Sequence, residues 1–475
     1  MDRQIASFIK HFAKEVKENN AAIFAGAGLS VAAGFVDWKT LLKPLADDLG
    51  LDIRKEDNLV SLAQYHCNEK GRNRHRINQL LIDEFSRNAT LTENHRILAR
   101  LPITTYWTTN YDKLIEKALE AVHKVPDVKY TVKQLANTRP KRDAVVYKMH
   151  GDVDHPAEAV LIKEDYEKYH IDFVPYIAAL TGDLVSKTFL FLGFSFTDPN
   201  IDYVLSRIRA TYTEHQREHF CIMRRISRSE CLDEADYEYK VRKQELFIND
   251  LKRYNVTTLL IDEFAQITEI LWKIERIYKV KTVFISGSAH EYGAMGKDNG
   301  EKLVHEISSN LIRRDFKIVS GYGLGMGTAV INGAMEEIYS SAVKARDEQI
   351  LVRPFPQNKT GIAVWDEYRK DMISLAGIAI FMFGNKLDGG NVVLANGVRR
   401  EFEIALENGL YIVPIGATGY MAAELWKEVS AGLDKYYPGH SKEFDENFTE
   451  IGDPALEPDE LVDSVMRLLD KIIRR

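Results

Sequence analysis

The chain has 475 residues, a length at which about two or three domains are expected. Hydrophobic residues make up 45% and charged residues 28% of the sequence, proportions typical of a globular protein with material for more than one core. The net charge is −7, from 63 basic and 70 acidic residues, which excludes a broad basic surface. We therefore expect small-molecule ligands bound by local geometry, with neither a nucleic acid nor a membrane as partner.

The N-terminal segment lacks the apolar stretch and small-residue cleavage site that direct secretion. The longest apolar run, residues 188–196, is too short to cross a bilayer, so we expect a cytoplasmic protein. The three cysteines, Cys67, Cys221 and Cys231, are scattered and form no C-x-x-C pair. They predict neither a disulfide framework nor a four-cysteine zinc site, and no metal is expected.

The first half of the chain alternates strand-like runs with helical patterns. Residues 4–18 have the apolar spacing of an amphipathic helix, and AAIFAGAG reads as a strand that enters a glycine turn. Residues 38–98 are mostly helical in pattern. Further strand-like runs occupy residues 104–109, 144–149 and 188–193, with helical patterns between them and onward to about residue 277. This alternation predicts an α/β domain with a parallel sheet and helical insertions.

The second half repeats the alternation with five strand-like runs, the first of which begins at Lys281. The runs are KTVFISGS, FKIVSG, QILVRPF, IAIFMFG and LYIVPIG, and the intervening helical patterns include residues 301–313, 367–375 and 398–408 and one that begins at Thr328. We therefore predict two Rossmann-like, doubly wound domains, covering residues 1–280 and 281–475. Because no glycine-rich or proline-rich linker separates them, we expect the domains to be packed together.

A glycine turn, Gly26-Ala27-Gly28-Leu29-Ser30, follows the first predicted strand and precedes a helix. At such a junction the backbone can approach a pyrophosphate, and the start of the helix supplies amide donors. Val31 stands where the usual G-x-G-x-x-G fingerprint has its third glycine. A structural turn that binds no ligand therefore remains an alternative.

Three more polar motifs end predicted strands, and ligands of open α/β sheets bind beyond such ends. Asn110 and Asp112 lie in Thr-Thr-Asn-Tyr-Asp, His150 lies in Lys-Met-His-Gly-Asp, and Gly193 and Ser195 begin Gly-Phe-Ser-Phe-Thr-Asp-Pro-Asn. We expect the four motifs to meet in one crevice. Taken singly, His150 could be a loop histidine with a structural partner, and Asn110 and Asp112 could be turn formers.

In this order the four motifs resemble those of the sirtuin family, over roughly residues 15–275, and the last motif is similar to that of bacterial sirtuin-like proteins. The resemblance implies cleavage of NAD+ at this site. It implies that Asn110 orients the attacking water or ribose, that His150 acts through the ribose hydroxyls or as a base, and that Asp112 braces the nicotinamide ribose pocket. The remaining residues would bind the NAD+ phosphates (Gly26, Ala27, Gly28, Ser30) and the adenosine end (Gly193, Ser195).

Two departures from the sirtuin pattern bear on the substrate. The chain has too few cysteines for the zinc module, and Gly34-Phe35-Val36-Asp37-Trp38 replaces the usual Pro-Asp-Phe-Arg stretch. Both favour plain hydrolysis of NAD+ over transfer to an acyl-lysine peptide. The alternatives are an NAD-dependent deacylase or ADP-ribosyltransferase, and a nucleotide sensor without catalysis.

In the second half, glycine turns again lie at strand-to-helix junctions, and Arg353, Arg369 and Glu401 lie near predicted element ends. Arginines could bind phosphates and the carboxylate could bind ribose hydroxyls, although a structural Rossmann domain with surface arginines is the alternative. This half resembles the SLOG sensor domain. In related enzymes that cleave nucleotides, a P-G-G-x-G-T-x-x-E stretch is catalytic. Here Gly389-Gly390 is separated from Gly397 and Glu401 by a six-residue gap, which favours binding without catalysis.

A sirtuin-like domain followed by a SLOG domain resembles the effector NADases of the Thoeris anti-phage defence system over the whole chain. The resemblance implies that a cyclic ADP-ribose isomer, made by a partner with a TIR domain, activates depletion of NAD+ in abortive infection. It also implies a homotetramer or a larger assembly, and no cofactor besides NAD+ as the substrate. The activator would bind to residues of the second half: Gly287, Ser288, Gly323, Leu324, Gly325, Arg369, Lys386 and Glu401.

Overall fold

A computed structural model of the chain describes residues 2–87, 89–196, 198–212, 216–340, 349–356 and 364–474. The chain divides into two compact units, Met1–Glu275 and Arg276–Arg475. This division lies inside a helix, Ala265–Lys279, whereas the boundary predicted from the sequence follows the end of that helix. No helix in the described ranges is long and apolar enough to cross a membrane.

The N-terminal unit is built on a sheet of seven parallel strands in the order β3-β4-β2-β1-β5-β6-β7. Its middle strands are fully buried and mostly apolar, because both faces of a parallel sheet are covered by helices. The strands are β1 (Ala21–Ala25), β2 (Thr105–Thr108), β3 (Pro126–Lys129), β4 (Ala144–Lys148), β5 (Thr188–Leu192), β6 (His219–Arg224) and β7 (Val256–Ile261).

Helices cover this sheet, and three of them, between β1 and β2, pack around an apolar cluster of their own. Local caps fix where these helices begin: Asp37 accepts from the amide of Thr40 (2.8 Å) and Asn58 from that of Ser61 (2.9 Å). The helices are α1 (Arg3–Lys17), α2 (Ala27–Val31), α3 (Trp38–Asp48), α4 (Leu59–Glu69), α5 (His75–Phe85), α6 (Glu93–Arg100), α7 (Leu114–Ala121), α8 (Lys163–Asp172), α9 (Val174–Ser186), α10 (Pro199–Tyr212), α11 (Glu234–Lys252) and α12 (Ala265–Lys279).

The C-terminal unit has a sheet of five parallel strands in the order β10-β9-β8-β11-β14, and an antiparallel hairpin of β12 and β13. The strands are β8 (Thr282–Ser288), β9 (Lys317–Ser320), β10 (Ile350–Val352), β11 (Ile378–Phe383), β12 (Asn385–Asp388), β13 (Asn391–Leu394) and β14 (Tyr411–Pro414). The helices are α13 (Lys297–Arg313), α14 (Gly327–Ser340), α15 (Trp365–Ile373), α16 (Asn396–Glu407), α17 (Tyr420–Ala431), α18 (Leu433–Tyr436), α19 (Lys442–Glu450) and α20 (Pro458–Arg474).

The predicted fold class is confirmed, because each unit has a parallel sheet that grows outward in both directions from its first strand. All five strands predicted for the second half are present. The helical prediction after Gly193 is wrong at β6 and β7, and β3 was not predicted. Short apolar runs such as Val256–Ile261 have no periodicity that separates a buried strand from a buried helix.

Candidate functional site

The four motifs singled out in the first half leave four adjacent strands at the same edge of the sheet. His150 follows β4, Asn110 follows β2, Gly26 follows β1 and Gly193 follows β5. The chain adds β2, β3 and β4 on one side of β1 and β5, β6 and β7 on the other, so the direction of growth reverses between β1 and β5. Ligands of open α/β sheets bind at such a switch point. The two glycine turns lie directly at it.

The turns at Gly26 and Gly193 pack against each other through their backbones. The amide of Gly26 donates to the carbonyl of Leu192 and that of Gly28 to the carbonyl of Gly193, both at 2.9 Å. Gly193 has a φ of +62°, and a Cβ there would collide with the amide nitrogen of Leu29. A Cβ on Gly28 would lie 2.9 Å from the Cα of Gly193. These glycines are therefore required by the contact between turns, independently of any phosphate.

Asn110 is held by hydrogen bonds at the end of β2. Its amide nitrogen Nδ2 donates to the carbonyl of Gly26 (3.0 Å) and to Oγ of Ser30 (2.8 Å). The hydroxyl of Thr108 accepts from the backbone amide of Asn110 (3.0 Å) and donates to the carbonyl of Ala25 (2.9 Å), which ties β2 to β1. Because both hydrogens of the side-chain amide are used, its carbonyl oxygen is the atom through which Asn110 can hold a water or a hydroxyl.

Ser30 continues this chain of hydrogen bonds to Asp112. Its hydroxyl donates to Oδ2 of Asp112 across 2.6 Å, while Oδ1 accepts from the amide of Leu114 (2.9 Å). Both oxygens of the buried Asp112 therefore accept hydrogen bonds from within the protein. A cavity beside these residues is lined by Ala27, Ser30, Val36, Trp38, Leu41, Phe85, Thr109, Asn110, Tyr111 and Asp112. Ser30, Asn110 and Asp112 thus present a fixed polar wall to an otherwise largely apolar pocket.

Lys148, the last residue of β4, is fully buried beneath the Asn110 loop. Its ammonium donates to the carbonyls of Tyr111 (3.0 Å) and Asp112 (2.6 Å) and is paired with Glu116 (3.2 Å) and Asp152. Burial alone would lower the pKa of Lys148, but the two carboxylates outweigh it and raise that pKa. The charged lysine therefore ties the loop that carries Asn110 to the loop that carries His150.

His150 is buried, with a side chain that is 2% exposed. Its Nε2 lies 3.0 Å from Oδ2 of Asp198, and its ring packs against Tyr166 and Tyr111, with centroids 5.5 and 6.5 Å away. Among the residues that the structure describes, neither ring nitrogen makes an aligned hydrogen bond. Nε2 thus lies within hydrogen-bonding distance of Asp198, while Nδ1 is buried and has no hydrogen-bond partner within the described residues.

Asp198 is the residue of this site that sequence reasoning missed. Burial by itself would raise its pKa, but the interaction with His150 and amide hydrogen bonds from Asn200 (2.9 Å) and Ile201 (3.2 Å) lower it below the usual value. The Asp-Pro-Asn sequence is the signature of a helix start, with an N-cap acceptor before a proline in the first turn. That signature locates the side chain at the start of α10, but it does not reveal that His150 is its partner.

Ser195 lies on the loop between β5 and α10 and is exposed, like Gly193. Gly26, Ala27, Gly28 and Ser30 form the turn from β1 into α2. Every residue predicted for the first site thus lies at the carboxyl edge of the N-terminal sheet. Their roles toward NAD+ stay predictions.

In the C-terminal unit, the glycine turns after β8 and β9 meet at the switch point between β8 and β11. A Cβ on Gly323 would collide with the carbonyl of Gly287, and Gly325 has a φ of +77°. The amide of Ala289 donates to the carbonyl of Leu324 (2.7 Å), whose side chain is 63% exposed. Both turns therefore form one surface at this edge of the second sheet.

Arg369 and Glu401, on α15 and α16, are paired at this same edge. Nε of Arg369 lies 3.3 Å from Oε1 of Glu401, whose Oε2 accepts from the hydroxyl of Ser286 (2.6 Å). The guanidinium also stacks over Phe355 and Trp365, at 5.0 and 5.6 Å from the ring centroids. Burial raises the pKa of Glu401, an effect that Ser286 and Arg369 partly offset.

Ser288 and Lys386 complete the set of residues predicted for the activator. The hydroxyl of Ser288 donates to the carbonyl of Asn385 (2.9 Å), and Nζ of Lys386 donates to Oδ1 of Asn396 (2.8 Å) at the start of α16. Gly389-Gly390, compared above with the catalytic stretch of related enzymes, is the turn of the β12–β13 hairpin, with φ of +57° and +86°.

Comparison with known proteins gives two domain families and several full-length relatives. Residues 104–248 match the SIR2-like domain, and residues 266–472 match the Sir2- and TIR-associating SLOG family. Proteins named NAD(+) hydrolase ThsA are similar over almost the whole chain. The one from Bacillus cereus (strain MSX-D12) is 57% identical over 470 residues, which is 99% of each chain.

Two more relatives with the same name come from other organisms. That of Acinetobacter baumannii (strain 532279) is 47% identical over 96% of this chain and 97% of its own. That of Cytobacillus dafuensis is 47% identical over 97% of this chain and 95% of its own. The chain belongs to the ThsA family.

Membership of the ThsA family agrees with the geometry of both sheets. The SIR2-like match spans the loops of Asn110, His150 and Gly193, and the SLOG match spans the surface that carries Arg369 and Glu401. Within the described part of the chain, no group of three or more histidines, cysteines and carboxylates could hold a metal ion.

Proposed function

We propose that the chain is an NAD+ glycohydrolase, which converts NAD+ and water into ADP-ribose, nicotinamide and a proton. The observation that carries the proposal is the chain of hydrogen bonds from Asn110 through Ser30 to Asp112 at the switch point of the sheet. It is supported by family membership, since the full-length relatives are named NAD(+) hydrolase.

Nicotinamide leaves from a centre with oxocarbenium character, so catalysis needs a positioned nucleophile more than a strong acid. The carbonyl oxygen of Asn110 holds the attacking water near the anomeric carbon. The bond from that carbon to nicotinamide breaks, a bond to the water oxygen forms, and His150 accepts the released proton, directly or through a ribose hydroxyl. Asp112 acts through Ser30, which keeps the amide of Asn110 in place.

The two glycine turns bind the rest of the substrate. The backbone at Gly26, Ala27 and Gly28, with Ser30, contacts the phosphates, because glycines at a strand-to-helix turn let a pyrophosphate approach the backbone closely. Gly193 and Ser195 lie toward the adenosine end. Water is the acceptor rather than an acyl-lysine, because the three cysteines cannot build a zinc module of the deacylase kind.

The C-terminal unit senses the activating ligand, a cyclic ADP-ribose isomer produced by a partner with a TIR domain. Arg369 and Lys386 supply positive charge to its phosphates, and Glu401 accepts from ribose hydroxyls. The glycine turns, Gly287-Ser288 and Gly323-Leu324-Gly325, form the adjoining wall. In this proposal the protein assembles as a homotetramer or larger, and activation depletes cytoplasmic NAD+ in abortive infection by phage.

The test is to mix purified full-length protein with NAD+, with and without cyclic ADP-ribose isomers, and to measure nicotinamide and ADP-ribose. We expect equal amounts of both products and a rate that rises with one isomer. If no condition releases nicotinamide, the chain is not an NAD+ hydrolase. If nicotinamide appears only together with an acyl-lysine peptide, the enzyme is a deacylase instead.

A further inference from the structure

We propose that Asp198 is a positioning residue for the NAD+ cleavage assigned above: it fixes the ring of His150 so that Nδ1 faces the reacting groups. The inference rests on the proposed function, because it assumes that His150 accepts a proton during NAD+ cleavage. The observation that carries it is the 3.0 Å approach of Oδ2 of Asp198 to Nε2 of His150, both on largely buried side chains.

The two oxygens of Asp198 have separate contacts. Oδ1 accepts from the backbone amides of Asn200 (2.9 Å) and Ile201 (3.2 Å), which is the N-cap of α10. Oδ2 takes no part in the cap and reaches His150. A capping residue needs one acceptor atom only, so the second oxygen is explained by the histidine rather than by the helix.

The aromatic rings that pack around His150 are neutral. Tyr166 and Tyr111 pack against the ring, and Tyr169 donates to the carbonyl of Met149. Burial raises the pKa of all three tyrosines, so they stay uncharged at neutral pH. Among the described residues, Asp198 is the only carboxylate at ion-pair distance from His150.

A carboxylate beside one ring nitrogen selects the tautomer in which that nitrogen carries the proton. For His150 this places the proton on Nε2 and leaves Nδ1 as an acceptor, and Nδ1 has no partner among the described residues. The same carboxylate stabilises the imidazolium that forms when Nδ1 takes up the proton from water or a ribose hydroxyl. Asp198 thus acts through His150 without contacting NAD+.

Asp198→Asn separates this role from capping, because asparagine caps helices as well as aspartate does but carries no charge. We expect kcat for nicotinamide release to fall on the order of 10-fold to 100-fold, less than a general base itself contributes, with KM for NAD+ within about twofold. The matched control is Asp233→Asn, which changes the exposed N-cap of α11, where the aspartate accepts from the amide of Asp236 (2.8 Å). That variant should keep the wild-type kcat.

A kcat of Asp198→Asn within threefold of wild type overturns the inference, and so does a loss that appears only in KM. A second measurement needs no variant at position 198: the nitrogen chemical shifts of His150 in the labelled wild-type protein, assigned by their absence in His150→Asn. A proton on Nε2 supports the inference, and a proton on Nδ1 alone refutes it. If the wild type releases no nicotinamide, the proposed function fails, while the tautomer still decides whether Asp198 orients the ring.

Discussion

Ser30 and Asn110 lie 80 residues apart in sequence, yet the amide of Asn110 donates to the hydroxyl of Ser30 across 2.8 Å. That hydroxyl in turn donates to the buried carboxylate of Asp112. The pair connects the glycine turn after β1 to the end of β2. The side chain of Asn110, which we propose holds the attacking water, is thus kept in place by Ser30 of the proposed phosphate-binding turn.

Ser30→Ala should therefore reduce NAD+ cleavage while leaving the fold intact. It removes the donor to Asp112 and one of the two acceptors that hold Asn110, each worth about 1–2 kcal/mol, so kcat/KM should fall about tenfold or more. Steady-state nicotinamide release measures this. Ser186→Ala, which removes an exposed hydroxyl bonded to the carbonyl of Gly182, is the control and should have no effect. Equal rates for both variants would argue against the hydrogen-bonded chain.

Gly193→Ala should destabilise the N-terminal unit, by roughly 2 kcal/mol or more. The new Cβ would enter the backbone of Leu29, and a φ of +62° is strained for alanine. Gly182 provides a matched contrast, because it lies within helix α9 and a Cβ there meets nothing within 4 Å. Gly182→Ala should stabilise by about 0.5–1 kcal/mol. Thermal unfolding should show a lower unfolding temperature for Gly193→Ala and a higher one for Gly182→Ala. An unchanged unfolding temperature of Gly193→Ala would show that the two turns can separate at little cost.

Stability of the N-terminal unit should fall as the pH drops from 6.5 toward 4. Burial lowers the pKa of His95 and of His219 from 6.5 to about 4. Between these two pH values both histidines bind a proton in the unfolded chain but stay neutral in the folded one. The free energy of unfolding therefore has its full value above pH 6.5 and decreases below it, by up to about 3 kcal/mol for each histidine near pH 4. Urea unfolding across this range measures the slope.

Replacing His219 by glutamine should reduce the dependence of the unfolding free energy on pH, because only His95 then binds a proton on unfolding. An unchanged slope in the His219 variant would show that this histidine is protonated in the folded state.

Arg369→Ala should abolish activation by a cyclic ADP-ribose isomer without unfolding the C-terminal unit. The guanidinium is aligned by Glu401 and stacked over Phe355, so it is preorganised for a phosphate, and its loss should weaken activator binding about 100-fold. Calorimetric titration with the isomer measures binding directly. Arg313→Ala removes an exposed arginine paired with Glu337 and should bind normally. Undiminished binding to the Arg369 variant would place the ligand elsewhere.

The location of the first site could be predicted from the sequence because polar motifs ended strands, and strand ends of a parallel sheet share one edge. The doubly wound fold followed from the alternation of apolar runs and helical patterns. What no pattern revealed is the partner of each side chain. Lys148 and Asp198 lay in the motifs, but their contacts depend on how α10 and the Asn110 loop fold back onto β4.

The hairpin of β12 and β13 shows a different limit. Asp388-Gly389-Gly390-Asn391 has the turn residues of a two-residue hairpin, which the local sequence indicates on its own. Sequence comparison set the same glycines beside the catalytic P-G-G-x-G-T-x-x-E stretch of related enzymes. Local turn chemistry was the better guide here, since both glycines have positive φ.

Nicotinamide release by Asn110→Ala, measured beside wild type under the condition of highest turnover, tests the proposed catalytic site most directly. The control is Asn249→Ala, an exposed asparagine of α11 whose side chain accepts from Lys252. We predict that Asn110→Ala loses at least 100-fold in kcat, because the attacking water is no longer positioned, while Asn249→Ala matches wild type. An Asn110→Ala variant that cleaves NAD+ at the wild-type rate would contradict the assignment of this site.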